Sequence, residues 1–477
     1  MTSSDNVRTE HDLIGERPIP CEAYYGVHTL RAVENFPISG SRISDAPDLI
    51  VALAAIKEAA AQTNMDLALL NSEKANAIVQ ACQEIGGGAL HEHFVVDFIQ
   101  GGAGTSTNMN ANEVIANRAL EILGRARGNY GYLHPNEHVN LGQSTNDVYP
   151  TALKLAALAG ITRLIAAMDT LRAAFADKAA EFADVLKMGR TQLQDAVPMT
   201  LGQEFGTYAV MLAEDMARLS EAAHLIREIN LGATAIGTGI NAHPDYAARV
   251  RERLSAIVGM DLVTSPDLIE ATQDCGAFVQ LSGVLKRIAV KLSKICNDLR
   301  LLSSGPRAGF NEINLPARQA GSSIMPGKVN PVIPEVVNQV AFDVIGNDVT
   351  ITMAAEAGQL QLNAFEPIIF YSLDRSIRHL TAACRTLEVN CVTGITANRD
   401  RLRDSVEQSI GIVTALNPFI GYLNATTVAL EAHRTGRGVY ELVLEKGLMS
   451  KERLDAVLRP EMLTRPQAFL SAESEST

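Results

Sequence analysis

The sequence has no close cysteine pairs, no long uncharged apolar run and no excess of positive charge, and each absence removes a class of protein. Its six cysteines, Cys21, Cys82, Cys275, Cys296, Cys384 and Cys391, include no CxxC pair. Cys275, Cys296 and Cys384 lie inside apolar stretches of helical character. They read as buried free thiols of a reducing compartment, not as a disulfide frame. No uncharged apolar run approaches the roughly 20 residues that a bilayer-spanning helix needs. The opening stretch MTSSDNVRTEHDLIGE has no apolar core and carries acids early, unlike a secretory signal. The expectation is a cytoplasmic protein with no membrane partner. A formal net charge of −13 repels phosphate backbones, so nucleic acid is not an expected partner either. A small dianionic ligand stays open, because binding follows the local field of a pocket and not the global sum.

Several chemical signatures are also missing. There is no GxxxxGK followed by Ser or Thr, so no phosphate-binding P-loop. No GxSxG elbow marks a hydrolase serine. Gly237-Thr238-Gly239-Ile240-Asn241-Ala242 matches a GxGxxG/A fingerprint but follows no clear strand of a βαβ unit, so it is set aside. His91-Glu92-His93 lacks the i,i+4 spacing of a helical metal pair and has no evident third ligand; it reads as surface.

What is present is a chain of 477 residues, 47% hydrophobic and 20% charged with both signs mixed. That is globular composition, and the length suggests two or three domains. Long helical patterns dominate. Over 151–183, Ala157, Ile161, Leu164, Met168, Leu171 and Phe175 recur at steps of four and three. Over 266–302 the series Phe278, Leu281, Leu285, Ile288, Leu292, Ile295, Leu299 and Leu302 alternates three and four without a break, keeping one face on a partner helix. Segments 200–229, 331–357 and 363–396 are similarly apolar with few breakers. Rods of this length need antiparallel neighbours, which means a helix bundle. Their alanine-rich faces predict self-packing into a homo-oligomer. The expected class is all-α, with an N-terminal mainly helical domain over 1–143, a central long-helix domain over 144–397 and a small helical domain over 398–477. The polar tail SAESEST is expected to fray.

Four polar segments interrupt the helices: Gly104-Thr105-Ser106-Thr107-Asn108; Gly142-Gln143-Ser144-Thr145-Asn146-Asp147; Gly189-Arg190-Thr191-Gln192-Leu193-Gln194-Asp195; and Gly321-Ser322-Ser323-Ile324-Met325-Pro326-Gly327-Lys328-Val329-Asn330-Pro331. Hydroxyl, amide and glycine residues suit the binding of carboxylates. Taken singly, the first three are equally plain caps or loops. The second stands ahead of a long helix, where free N–H groups and the dipole favour an anion. The fourth is the most specific, since its glycines let N–H groups converge on one oxyanion and its make-up fits a mobile closing loop.

GSSIMPGKVNP resembles the GSSxMPxKxN signature of the fumarase/aspartase superfamily, and the other three segments stand in that family's order. The resemblance runs from AYYGVHTLRAVENFPISG at 23–40 to NPFIGY at 417–422. It implies a three-domain helical subunit and a homotetramer whose central helices form one twenty-helix bundle, with each active site shared by three subunits. Ser144-Thr145-Asn146 and the stretch PVIPEVVNQV are similar to the aspartase branch, as is Gln192, which stands where fumarases and some aspartases have histidine and other aspartases have glutamine in the same GRTQLQDAVPMTLGQEF context. Glutamine takes up no proton near neutral pH, which fits deamination better than hydration. The implied reaction is reversible deamination of L-aspartate to fumarate and ammonia. The resemblance makes Ser322 the base that takes the Cβ proton, through an aci-carboxylate intermediate. Thr105, Ser144, Thr145 and Ser323 would hold the β-carboxylate, and Thr191, Lys328 and Asn330 the α-carboxylate. Asn146 and Gln192 would orient the ammonium, and Met325 would complete the substrate site. No organic cofactor is implied; divalent-cation activation occurs in some members, and the sequence offers no site for it. The alternatives are a class II fumarase, a related lyase on another amino acid, and a non-catalytic scaffold akin to lens crystallins.

Overall fold

The computed structural model describes residues 6–466; the first five residues and 467–477, with the tail expected to fray, lie outside the described residues. The chain is mostly helical. Its strands, among the described residues, form only two-stranded sheets. The residues fall into two compact units.

One unit comprises Met1–Ile165, Ala217–Ala289 and Phe342–Thr381. It starts with an antiparallel hairpin of β1 (Val7–Asp12) and β2 (Gly15–Pro20). Helix α1 (Val27–Asn35) has no side-chain cap of its own. Two distant carboxylates supply it: Glu113 accepts from the N–H groups of Gly26, His28 and Thr29, and Glu10 from that of Val27. Burial raises the Glu113 carboxyl to about 7, against the pull of those bonds. Helix α2 (Pro47–Asp66) uses proline at its first turn, and α3 (Ser72–Gly86) is capped by Asn71, which accepts from the Glu73 N–H at 2.8 Å. Helix α4 (Thr105–Ile122) follows, with Gly104 at its N-cap.

Helix α5 (Thr145–Glu181) is the longest element. It is long and apolar enough to cross a membrane by length and composition, and 72% of its most apolar window is buried within the protein. It begins six residues before the predicted start, because Ser144 and Asp147 cap it reciprocally: the Ser144 hydroxyl accepts from the Asn146 N–H and Asp147 accepts from the Ser144 N–H.

The other unit comprises Ala166–Met216, Val290–Ala341 and Ala382–Thr477. It holds a second hairpin, β3 (Leu186–Thr191) and β4 (Gln194–Thr200), with a register shift between Met188 and Arg190. It also holds the C-terminal helices, whose core gathers Leu416, Val428, Leu442 and Leu454.

The remaining long helices are α6 (Leu201–Ile226), then, after α7 (Tyr246–Val258) and α8 (Leu268–Gln273), α9 (Gly276–Leu302), α10 (Val332–Glu356) and α11 (Glu366–Asn390). Every member of the predicted seam from Phe278 to Leu302 is buried. The segment predicted as one rod over 266–302 is broken at Asp274, whose carboxylate accepts from the Gly276 N–H and restarts the helix.

Candidate active site

The first two polar segments lie in the first unit and meet at two helix starts. Thr105 is the first residue of α4, and the backbone at Gly104 is left-handed, with φ +87°. Asn108, one turn on, is buried and donates to Thr145 Oγ1 at 3.1 Å and to Asn140 Oδ1 at 3.2 Å. Ser144 and Thr145 open α5, where the dipole of a long helix favours an anion. Thr145 Oγ1 accepts from Asn108, and Ser144 Oγ accepts from the Asn146 N–H. Each hydroxyl therefore keeps its own proton to donate elsewhere. Together with Met109, Asn140, Thr234 and Asn241 they line a cleft of about 410 Å³. Asn146 donates to the Ala235 carbonyl at 2.7 Å, so loop 232–242, which contains the discounted glycine fingerprint, forms part of the cleft wall through Thr234, Ala235, Ile240 and Asn241.

Beneath this cleft lies a network the sequence did not reveal. Lys57 is wholly buried and donates to Asn140 Oδ1 at 2.8 Å and Gln143 Oε1 at 2.9 Å. Burial lowers its ammonium to about 7, opposed by Asp147. Asp147, also buried, accepts from the N–H groups of Ser144, Gly232 and Thr234. Burial raises its carboxyl to about 6, and those three bonds and Lys57 hold it down.

The last two segments lie in the second unit. Thr191 ends β3, and Gln192 and Leu193 form a two-residue turn with φ of +56° and +63°. The expected loop is thus a hairpin tip, strained because neither turn residue is glycine. Leu193 is 62% exposed, so little packing is lost with its side chain. Replacing Leu193 by Gly should raise stability by about 1 kcal/mol, read as a higher Tm; a lower Tm would mean that the tip is covered in solution. The hairpin is anchored below by Lys187, which pairs with Glu204 at 2.6 Å and Glu312 at 2.7 Å, and by Arg190, which also pairs with Glu312 and lies over the Phe310 ring.

The fourth segment is a loop pinned at its base. The Gly321 N–H donates to the Lys328 carbonyl at 2.8 Å, and Asn330 Nδ2 donates to the Gly321 carbonyl. Helix α10 begins two residues later. Within the loop, Ser322 Oγ accepts from the N–H groups of Ile324 at 3.2 Å and Met325 at 2.9 Å. Ser323, Met325 and Lys328 are exposed and Ser322 is half-buried. Lys328, Asn330, Glu335, Arg300 and Ser303, with apolar Ile313, Leu315 and Val329, line a hollow of about 760 Å³. Among the described residues, no group of three or more His, Cys, Asp or Glu side chains is placed to hold a metal ion.

Comparison with known proteins adds three findings. Residues 15–346 match the Lyase family, and residues 412–465 match the Fumarase C C-terminus family. The chain is 62% identical to an aspartate ammonia-lyase from Pseudomonas fluorescens, over 98% of each chain. It is 55% identical to that of Escherichia coli K12, over 97% of each. Among solved structures it superposes at TM-score 0.95 on a fumarate lyase:delta crystallin from Brucella melitensis bound to cobalt, with 57% identity over 96% of this chain and 100% of that one. It superposes at TM-score 0.90 on a class II fumarase from Schistosoma mansoni, with 35% identity over 95% of this chain and 98% of that one.

Proposed function

The chain belongs to the lyase family that includes aspartate ammonia-lyases, and on that premise we propose that it is a carbon–nitrogen lyase converting L-aspartate reversibly to fumarate and ammonia. The observation that carries the mechanism is the Ser322 turn. An isolated hydroxyl is a poor base, but an oxygen that already accepts two loop N–H groups has its alkoxide stabilised where the charge forms.

In this reading the Ser322 alkoxide takes the Cβ proton, and the electron pair moves into the β-carboxylate to give an aci-carboxylate. That pair then returns to form the Cα=Cβ bond as the Cα–N bond breaks and ammonia leaves with its electrons. Thr105, Ser144, Thr145 and Ser323 hold the β-carboxylate and the charge that develops on it. The free hydroxyl protons of Ser144 and Thr145 support that role, as does the start of α5 behind them. Thr191, Lys328 and Asn330 hold the α-carboxylate, Asn146 and Gln192 orient the ammonium, and Met325 borders the substrate. Gln192 favours deamination over hydration, because it cannot exchange a proton with water at neutral pH. Lys328→Met should raise KM for aspartate roughly ten- to hundred-fold, matching the loss of about 1.5–3 kcal/mol for a charged hydrogen bond. A KM within twofold of the parent would remove Lys328 from the site.

We also infer a cytoplasmic homotetramer with sites shared by three subunits. Exposed Val336, Phe342, Val349 and Met353 along α10 support self-association. The deciding assay follows fumarate absorbance from L-aspartate, with L-malate in parallel. Fumarate from aspartate alone is expected. Fumarate from malate alone would make the protein a fumarase. No product from either would favour another amino-acid substrate or a scaffold role. The same assay with a chelator, and then with added Mg²⁺, decides divalent-cation activation.

A further inference from the structure

Thr234, on the wall that loop 232–242 gives the cleft, combines two features that stability alone does not favour. Its φ is +57°, a left-handed conformation that is an outlier for a β-branched residue. The loop's other left-handed positions are glycine or asparagine: Gly232, Gly237, Gly239 and Asn241. Thr234 is held in place by its N–H, which donates to Asp147 Oδ2 at 3.0 Å, beside that of Gly232 at 3.1 Å. The residue is 5% exposed, and its Oγ1 is buried with no hydrogen-bond partner. Among the described residues lining the cleft, one other buried side-chain oxygen is in that state, Asn108 Oδ1. The Asn108 amide nitrogen already holds Thr145 and Asn140. Backbone strain and an unsatisfied buried hydroxyl at one residue of a cleft wall mark a position kept for a ligand.

The kind of ligand follows from which groups are already engaged. Ser144 and Thr145 each accept one bond and keep a proton for a carboxylate. Thr234 Oγ1 accepts from nothing, so its lone pairs are free for a donor. A substrate ammonium has three N–H donors and no acceptor, and in the reading above two amides, Asn146 and Gln192, orient it. Ala235, next to Thr234, fixes Asn146 through its carbonyl, so Thr234 and Asn146 adjoin on one wall. We propose that Thr234 is a substrate-binding residue whose hydroxyl accepts from the ammonium of aspartate, and from free ammonium in the reverse reaction, as the third acceptor. The assignment rests on the ammonia-lyase reading and adds a residue to it.

The test runs the reaction backward, with the full-length protein, fumarate and ammonium chloride each varied, and loss of fumarate absorbance as the readout. Thr234→Val keeps the β-branch and removes the hydroxyl alone. Its KM for ammonium should rise about ten- to hundred-fold, the range for one hydrogen bond to a charged group, with KM for fumarate within roughly twofold of the parent. A structural role would move both together. The Tm of Thr234→Val should equal or exceed the parent's, because an apolar group of the same shape replaces an unpaired buried oxygen. Thr234→Ser, which keeps the hydroxyl, should hold KM for ammonium near the parental value. A parental KM for ammonium in Thr234→Val, equal rises in both KM values, a lower Tm in that variant, or a Thr234→Ser variant as impaired as Thr234→Val would each overturn the proposal. A parent protein that consumes no fumarate would instead fail the ammonia-lyase reading itself, and this assignment with it.

Discussion

Ser322→Ala should lower kcat for aspartate by about 10²–10⁴-fold, the usual contribution of a positioned base, and leave KM nearly unchanged. The expectation separates Ser322 from every other hydroxyl of the four segments. Its oxygen sits in a turn whose N–H groups, from Ile324 and Met325, converge on it. It is thus prepared to carry negative charge and makes no use of substrate affinity. Alanine removes that oxygen and leaves two N–H groups in a loop accessible enough for water to satisfy them, so the fold should survive. Ser323→Ala is the informative companion. Ser323 has no such convergence and is assigned to carboxylate binding, so its loss should fall mainly on KM. Steady-state kinetics of both variants, with the affinity of each for a non-reacting dicarboxylate, give the split. Near-normal kcat in Ser322→Ala would reject the base assignment. A large KM effect with kcat intact would move Ser322 among the binding residues.

How far the sequence could be read depended on whether a feature is written in local chemistry. The α9 seam was legible because Leu281, Ile288, Ile295 and Leu299 face one side by spacing alone, and all are buried. The break before it was not, since Asp274 looks like any surface acid until its carboxylate recaps the helix. The hairpin around Gln192 was hidden for a related reason. Gln-Leu carries none of the Asn-Gly or Asp-Gly preference that announces a two-residue turn, so Gly189–Asp195 read as a loop between helices. The segments at Ser144 and Ser322 stood out because their hydroxyl and glycine clusters are rare inside helices. What supports them did not. Lys57 lies within VALAAIKEAAA, where a single lysine looks like a solvated position on a helical face, yet it is buried with two amide oxygens for partners. Only the three-dimensional meeting of α2 with residues 140–143 brings it under the cleft.

Gly104→Ala should cost about 2–5 kcal/mol, the sum of a left-handed alanine and overpacking against a rigid neighbour. It should also abolish most turnover in the protein that still folds. Two facts meet at this residue. Its φ of +87° is one that side chains avoid, and a Cβ built there would stand 2.3 Å from the Tyr149 ring. Tyr149 is fully buried on the second turn of α5, so the ring has no space to yield. The strain must therefore be relieved by moving the start of α4 or of α5. Those starts hold Thr105 and Asn108 on one side and Ser144 and Thr145 on the other. A shift of a few tenths of an ångström would break the Asn108–Thr145 bond that orients the cleft hydroxyl. Gly40→Ala isolates the backbone part of the cost. There φ is +76° and nothing lies within 4 Å, so only the left-handed penalty of about 1–2 kcal/mol applies, with no change in kcat. Pairing Gly104→Ala with Tyr149→Leu should recover part of the lost stability, because the two positions compete for one volume. Thermal unfolding and steady-state kinetics on the single and double variants decide it. Independent, additive losses would show that Gly104 is needed for its backbone alone and that the ring does not set the cleft.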